Sequence, residues 1–284
     1  MFSKVLERFR LKWKSYRHRF LPWIVLNMSK NEKTLRQVKG RCEDKLIPDE
    51  AVSRNLLQLF RVLHGANHRA ELGNFRCQVI SDKGHCVHNA MFQSLGFCID
   101  RKPSTLPHAG TGVFVTRGLV PKGATVAMYP GTIYQAYEPI LLQSIRNPFV
   151  FRCIDGVLVD GNDKGISKIV YNSCSGRDQM GPFTMNDTTW LTSTPQNPLA
   201  VGQYVNNCSN EMPANVCYQE FDVSDTFPIE FRYYLPNVNY SPHSQRPLRC
   251  VVLVSLRDIT EGEELFSNYY TIVHSKRHNK EVRE

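Results

Sequence analysis

Short apolar and β-branched runs, separated by turns, dominate the chain from about residue 96 onwards. Gly, Pro, Asn and Asp interrupt these runs every few residues, which is typical of short strands joined by tight turns. Because the turns are unevenly spaced, the pattern favours several small sheets over a regular sandwich. The clearest predicted strands are 112–116, 124–129, 149–152, 157–160 and 249–254. We therefore predict a mostly β (α+β) domain.

Helical periodicity is rare in this part of the chain. Tyr137 to Ile145 is the one segment predicted there as a helix. Strands do not alternate regularly with helices, so the pattern disfavours the parallel βαβ architecture of Rossmann-type domains.

The first 26 residues show a different pattern, with one apolar stripe at helical spacing. The stripe consists of Phe2, Leu6, Phe9, Trp13, Tyr16 and Phe20. It predicts an amphipathic helix that Pro22 kinks or ends. Three roles fit such a helix: a mitochondrial targeting segment, a helix on an anionic membrane surface, or a helix packed on the main domain.

A second helix is predicted from Asp49, as its N-cap, to about His64. Its apolar face consists of Val52, Leu56, Leu57, Phe60 and Leu63. Residues 65–95 show no clear period and are predicted to be a linker or an irregular cap. Four possible metal ligands in this stretch fit no zinc spacing, and we interpret them as chance clustering. They are Cys77, His85, Cys86 and His88.

The positive charge of the chain is concentrated in its first 45 residues. This segment holds thirteen Lys and Arg against four Asp and Glu, which accounts for the whole formal charge of +9. The remainder is neutral overall, so we predict no specific nucleic-acid partner. A neutral domain also has no acidic excess to attract a basic substrate tail.

Cysteine usage and hydrophobic content bear on the compartment. The nine cysteines are an odd number and show no C-x-x-C spacing. They indicate free thiols in a reducing, intracellular compartment, with mitochondrion, nucleus and cytoplasm left open. No run of residues approaches the roughly 20 apolar residues of a transmembrane span.

Three motifs carry candidate chemistry and follow one another in a fixed order. The first, 110–116, reads GTGVFVT; its glycines form either a tight turn or a backbone that another group can approach closely. The second, 203–210, reads QYVNNCSN, which is either a polar loop or a site where Asn206 binds a zwitterionic amino-acid group. The third, 258–270, reads DITEGEELFSNYY, and without the others it would be a turn and an end strand.

In this order the motifs resemble the SET-domain methyltransferase family, the class V-like enzymes that bind S-adenosylmethionine, over about residues 96–273. The resemblance implies a β-clip fold of small curled sheets, with a C-terminal segment threaded beneath an earlier loop as a pseudoknot. It implies methyl transfer from S-adenosylmethionine to a protein lysine, and no metal. By the same resemblance, Gly110, Thr111, Gly112, Asn206 and Asn207 bind the cofactor. Tyr269 likewise binds the cofactor and is also the catalytic residue.

Several features depart from the family pattern. Asn207 replaces the usual His, Cys208-Ser209 reverses the usual order, and Asn268 replaces the usual Asp. The flanking cysteine modules that bind zinc in many relatives are missing. The N-terminal helices or a partner are therefore expected to complete the lysine channel. Segments 138–200 and 218–248 would be insertions, the first where the family recognises its substrate.

The sequence thus predicts four parts and leaves three functions open. The parts are a basic extension (1–45), a helical and irregular linker region (46–95), a SET domain (96–273) and a basic tail (274–284). The leading function is a protein-lysine methyltransferase. The alternatives are a catalytically weak SET fold acting as a cofactor-binding or interaction scaffold, and an anchor that binds anionic lipid or nucleic acid through its basic helix.

Overall fold

The computed structural model describes residues 16–18, 20–21, 35–38, 45–72, 80–179, 184–242 and 246–273. Its described helices are α1 (Asp49–Leu72), α2 (Ile80–Leu95), α3 (Leu141–Ser144) and α4 (Gly165–Arg177). Within these residues, none of the helices combines the length and apolar character that a membrane crossing requires.

Helix α1 buries the face that the periodicity predicted. Val52, Leu56 and Phe60 are fully buried, and Phe60 stacks on Tyr234 with 5.1 Å between ring centroids. Burying a side chain of this size stabilises the fold by about 1.5–3 kcal/mol. Asp49 is not the N-cap, because the Pro48 carbonyl accepts the first hydrogen bonds and Asp49 lies in the first turn. An acid there still favours the positive end of the helix dipole.

The prediction of a linker over 65–95 was wrong for most of that stretch. Helix α1 continues past His64 to Leu72, and α2 occupies 80–95 and packs along α1. The Gln58 amide donates to the Ser94 carbonyl at 2.6 Å, and Met91 is fully buried. Contact with α1 therefore stabilises α2, although its sequence shows no clear helical periodicity. The interpretation of Cys77, His85, Cys86 and His88 as chance clustering is tested only in part, since the side chains of Cys77 and His85 lie outside the described region.

Fifteen strands run through the described residues. They are β1 (Tyr16–His18), β2 (Phe20–Leu21), β3 (Leu35–Val38), β4 (Phe97–Pro103), β5 (Thr111–Gly118), β6 (Thr125–Tyr129), β7 (Gly131–Tyr134), β8 (Val150–Arg152), β9 (Leu158–Asp160), β10 (Asn206–Asn207), β11 (Val216–Asp222), β12 (Asn237–Asn239), β13 (Arg249–Ser255), β14 (Phe266–Ser267) and β15 (Tyr270–Val273). All five clearest predicted strands are confirmed within one or two residues at each end. The mostly β class is confirmed, and the predicted helix over 137–145 shortens to α3.

The strands form small mixed sheets. One sheet has the order β10-β14-β11-β13-β6, a second the order β12-β7-β9-β8-β2, and β4 pairs with β5 as a hairpin. Strand β11, most of which lies in 218–248, is the central strand of the first sheet. Strands β8 and β9, both within 138–200, are neighbours in the second sheet. Segments 138–200 and 218–248 therefore contribute to the sheets, whether or not they are insertions relative to the family.

The N-terminal strands correct the predicted helix over 1–26. Residues 16–18 pair antiparallel with β15, and residues 20–21 pair antiparallel with β8. Strand β3 lies on the other side of β15, giving the order β1-β15-β3. Pairing with these distant strands satisfies the backbone without a helix, so tertiary contacts override the apolar stripe. The other residues of 1–26 lie outside the described part of the chain.

The C-terminal segment threads between two earlier parts of the chain. On one side, the Leu265 amide donates to the Val113 carbonyl at 2.7 Å, and the Val115 amide donates to the Glu263 carbonyl at 3.0 Å. On the other side, β14 runs parallel to β10. The fold therefore brings all three sequence motifs to one place, with residues 263–269 in the middle.

Candidate active site

Asn206 lies where the three motifs meet. Its side-chain nitrogen is 3.2 Å from the Thr111 carbonyl oxygen, 3.0 Å from Ser104 Oγ and 3.1 Å from Glu264 Oε1. An amide nitrogen carries two hydrogens, so these three acceptors compete for them. The structure therefore brings Asn206 next to the turn at 110–112.

Glu264 is a site residue that sequence reasoning did not single out. Its side chain is buried and accepts hydrogen bonds from Ser104 Oγ at 2.7 Å, the Thr105 amide at 2.8 Å and Thr105 Oγ1 at 2.6 Å, besides Asn206. Burial raises the pKa of this carboxyl, but the hydrogen bonds outweigh burial and hold the pKa below its usual range. Glu264 is therefore a charged acceptor in the site.

The alternation of side chains along the C-terminal segment could have identified Glu264. Neighbouring residues of an extended segment point to opposite faces. Glu263 faces outward to pair with Arg257 at 2.6 Å, whereas Glu264 faces inward. Ser104 and Thr105 carry no such signal, since Ser and Thr are ordinary loop residues.

Glycine is required at the two glycine positions of the first motif for different physical reasons. Gly110 has a φ of +72°, in the left-handed region that glycine adopts without strain, and the space beside its Cα is open. At Gly112, by contrast, an added Cβ would lie 2.1 Å from Glu264 Oε1. The group that closely approaches this backbone is therefore Glu264.

Replacing Gly112 by alanine is expected to destabilise the protein by about 1–3 kcal/mol, the usual cost of overpacking a filled site. Glu264 cannot move aside without losing hydrogen bonds to Ser104, Thr105 and Asn206. Urea denaturation followed by circular dichroism measures the loss. The matched control is Gly176→Ala in α4, where a Cβ meets nothing within 4 Å and helix propensity favours alanine. An equal midpoint for the wild type and Gly112→Ala would contradict the close packing.

Asn207 and Asn268, the two departures from the family pattern, both have defined contacts. The Tyr269 amide donates to Asn207 Oδ1 at 3.0 Å. The Cys208 thiol donates to Asn268 Oδ1 at 2.8 Å. Asn207 thus fixes the backbone of Tyr269 directly, and the Cys208–Asn268 contact fixes the residue before it.

Tyr269 lies at the edge of a group of packed rings, Tyr129, Phe151, Tyr218 and Tyr269, which we call the aromatic cluster. Tyr218 lies 5.0 Å from Phe151 and 6.5 Å from Tyr269, measured between ring centroids. The Tyr269 hydroxyl donates to the Val205 carbonyl at 2.7 Å. Burial, followed by the nearby Cys208 thiol, raises the pKa of Tyr269 well above its ordinary value. The hydroxyl is therefore neutral at physiological pH.

A second group of ligand-type side chains lies outside this site. Atoms of Cys153, Asp155 and Glu220 lie within 4.8 Å of one another. Arg249 already supplies a cation there, with Nη1 at 2.7 Å from Glu220 Oε2 and Nη2 at 3.1 Å from Asp155 Oδ2. Asp222 pairs with the same guanidinium. The contacts describe an ion-pair network centred on Arg249. None of the seven described cysteines is in a disulfide bond.

Comparison with known proteins places the chain among close relatives. SET domain-containing protein 9 of Homo sapiens is 53% identical over 296 aligned residues, which cover 95% of this chain and 99% of that protein. Its counterpart from Pongo abelii is 54% identical over 265 residues, covering 84% and 97%. No family model matches the chain. Among solved structures, KRYPTONITE with DNA, a peptide and SAH bound has 16% identity and a TM-score of 0.34, covering 64% of this chain and 25% of that one.

Proposed function

The chain belongs to the SET domain-containing protein 9 family, and from this premise we propose that it methylates a lysine side chain of another protein. When bound, S-adenosylmethionine would supply the methyl group from its sulfonium sulfur. The amine lone pair would form a bond to the methyl carbon as the carbon–sulfur bond breaks, with that electron pair staying on sulfur. Such an in-line displacement requires aligned reactants and a site that excludes water.

One observation carries the proposal: a single short segment, 264–269, contacts residues of both other motifs. Glu264 at its start contacts Asn206, and Tyr269 at its end is held by Asn207. A cofactor site and an acceptor site joined in this way keep a fixed relation to each other. That fixed relation is what an in-line displacement requires.

The residues near Asn206 fit the amino-acid end of S-adenosylmethionine. An ammonium group needs acceptors and a carboxylate needs donors. The Thr111 carbonyl is an acceptor, and the Asn206 side chain offers both functions. Beside Gly110 the backbone is open and carries no side chain. These features support cofactor binding at 110–112 and at Asn206.

The aromatic cluster fits the amine end. A lysine must lose its proton before it attacks, which costs on the order of 4 kcal/mol at neutral pH. Apolar surroundings reduce that cost, because they disfavour the ammonium form. Since the Tyr269 hydroxyl donates its own proton to the Val205 carbonyl, its oxygen would meet an amine N–H as an acceptor. An amine held through its N–H keeps its own lone pair for the methyl group.

The scaffold function is the main competitor, motivated by Asn207 and Asn268. Both residues hold the Tyr269 region in place, so replacement of the usual His and Asp leaves the tyrosine supported. This support favours the enzyme over the scaffold. Turnover on a labelled substrate decides between them.

Calorimetric titration of S-adenosylmethionine into the full chain tests the cofactor site. We expect binding in the micromolar range, weakened about tenfold or more by Asn206→Ala, because a hydrogen bond to a charged group of the cofactor contributes about 1.5–3 kcal/mol. Asn210→Ala, an exposed residue of the same loop, is the matched control and should bind like the wild type. Folded protein that binds no S-adenosylmethionine would refute the methyltransferase proposal. Binding without label transfer to any lysate protein would favour the scaffold.

A further inference from the structure

The loop between β4 and β5, residues 104–110, is hydrogen-bonded at its start to the C-terminal segment. Ser104 and Thr105 contact Glu264 through three hydrogen bonds. The loop is also closed on itself, since the Ser104 amide donates to the Gly110 carbonyl at 2.8 Å. Whatever fixes Ser104 and Thr105 therefore also fixes Gly110, where the first motif begins.

The two oxygens of Glu264 divide their partners between two elements. Oε1 accepts from Ser104 Oγ and from Asn206, and Oε2 accepts from the amide and the hydroxyl of Thr105. A carboxylate has about four acceptor positions, and each of these four contacts uses one. Glu264 thus links the 104–110 loop to Asn206 through its carboxylate, beside the contact of the Asn206 nitrogen with Ser104 Oγ at 3.0 Å.

The backbone of Glu264 is fixed as well. Its carbonyl accepts from the buried Asn215 side chain at 2.8 Å, and the residue bridges to Phe114 of β5. The side chain therefore extends from a fixed base past Gly112 to the loop. Because both its backbone and its carboxylate are held, Glu264 fixes the positions of its hydrogen-bond partners.

We propose that Glu264 is a positioning residue of the cofactor site, whose charge holds the 104–110 loop and the Asn206 amide in their binding arrangement. This inference rests on the proposed function and names the residue that organises its cofactor end. Glu264 acts through Asn206 and the loop. Its loss should therefore weaken cofactor binding and leave the chemical step at saturating cofactor nearly unchanged.

Glu264→Gln is the sharpest test, because it keeps the shape and removes the charge. A glutamine amide accepts at one end only, so its NH₂ must face either the Asn206 NH₂ or the Thr105 N–H, donor against donor. We expect the Kd and KM for S-adenosylmethionine to rise about 10- to 100-fold, as for loss of hydrogen bonds to a charged group. The kcat at saturating cofactor should change less than about threefold, because an interaction equal in ground and transition states affects binding alone.

Two further variants separate positioning from general stability. Glu263→Gln, the matched control, alters the neighbouring acid that pairs with Arg257 on the surface and should leave the Kd unchanged. Thr105→Val keeps Glu264 and the side-chain shape but removes one hydroxyl donor, and should raise the Kd about three- to tenfold. Thermal melting of each variant reports whether it is folded.

The outcomes distinguish this inference from the proposed function. If the wild type binds S-adenosylmethionine but Glu264→Gln and Thr105→Val bind equally well, Glu264 has no positioning role. A fall in kcat with an unchanged KM would also overturn it. If the wild type itself binds no S-adenosylmethionine, the proposed function fails first.

Discussion

Replacing Arg249 by methionine is expected to destabilise the protein by about 3 kcal/mol, near the lower end of the range for removing one partner of a buried ion pair. The side chain of Arg249 is 14% exposed and lies among Asp155, Glu220 and Asp222. Burial alone would lower the pKa of Arg249, but hydrogen bonds and charges from its partners raise the pKa above its usual range. Removing the guanidinium leaves carboxylates close together in a site with little water. Urea denaturation at pH 7 measures the loss.

A matched control sharpens this expectation. Arg257→Met removes an arginine that is 48% exposed and should cost under about 0.5 kcal/mol. Equal costs for the two variants would refute the ion-pair network.

The parts of the fold that could be predicted from the sequence are those fixed by local pattern. The face of α1 through Val52, Leu56 and Phe60 follows from helical spacing and is buried. The N-terminal strands could not be predicted in this way. Tyr16 pairs with Ile272, and no local periodicity records a partner so far along the chain. The apolar stripe of residues 1–26 gave the wrong element at 16–18 for this reason.

The same distinction applies to the candidate site. Asn206 and Tyr269 were identified because their motifs resemble those of a family. In the structure, Asn206 contacts one end of segment 264–269, and Tyr269 forms the other end. Their functional roles stay predictions. Ser104 and Thr105 were missed because they lie outside all three motifs, and their contact with Glu264 spans about 160 residues. Such a contact can be recognised only in the folded structure, where the C-terminal segment passes between earlier parts of the chain.

Tyr269→Phe is expected to lower kcat about 100-fold or more, because small losses of reactant alignment have effects of that size. The variant keeps the ring in the aromatic cluster and removes only the hydroxyl that is to hold the amine. The Kd for S-adenosylmethionine should change less than about threefold, since the variant keeps the Tyr269 ring and leaves Asn206 and the turn at 110–112 unchanged. Stability should fall by about 1 kcal/mol at most, because Tyr218 also donates to the Val205 carbonyl, at 3.4 Å.

Single-turnover transfer of labelled methyl groups measures the effect, with Tyr240→Phe as the matched control. Tyr240 stacks on Tyr134 outside the aromatic cluster, with ring centroids 4.7 Å apart, and its variant should keep wild-type turnover. The pH profile adds an independent check. Because the pKa of Tyr269 is raised well above its ordinary value, no loss of activity near neutral pH should arise from its ionisation. Equal turnover by the wild type and Tyr269→Phe would remove Tyr269 from the chemical step, even if both bind the cofactor.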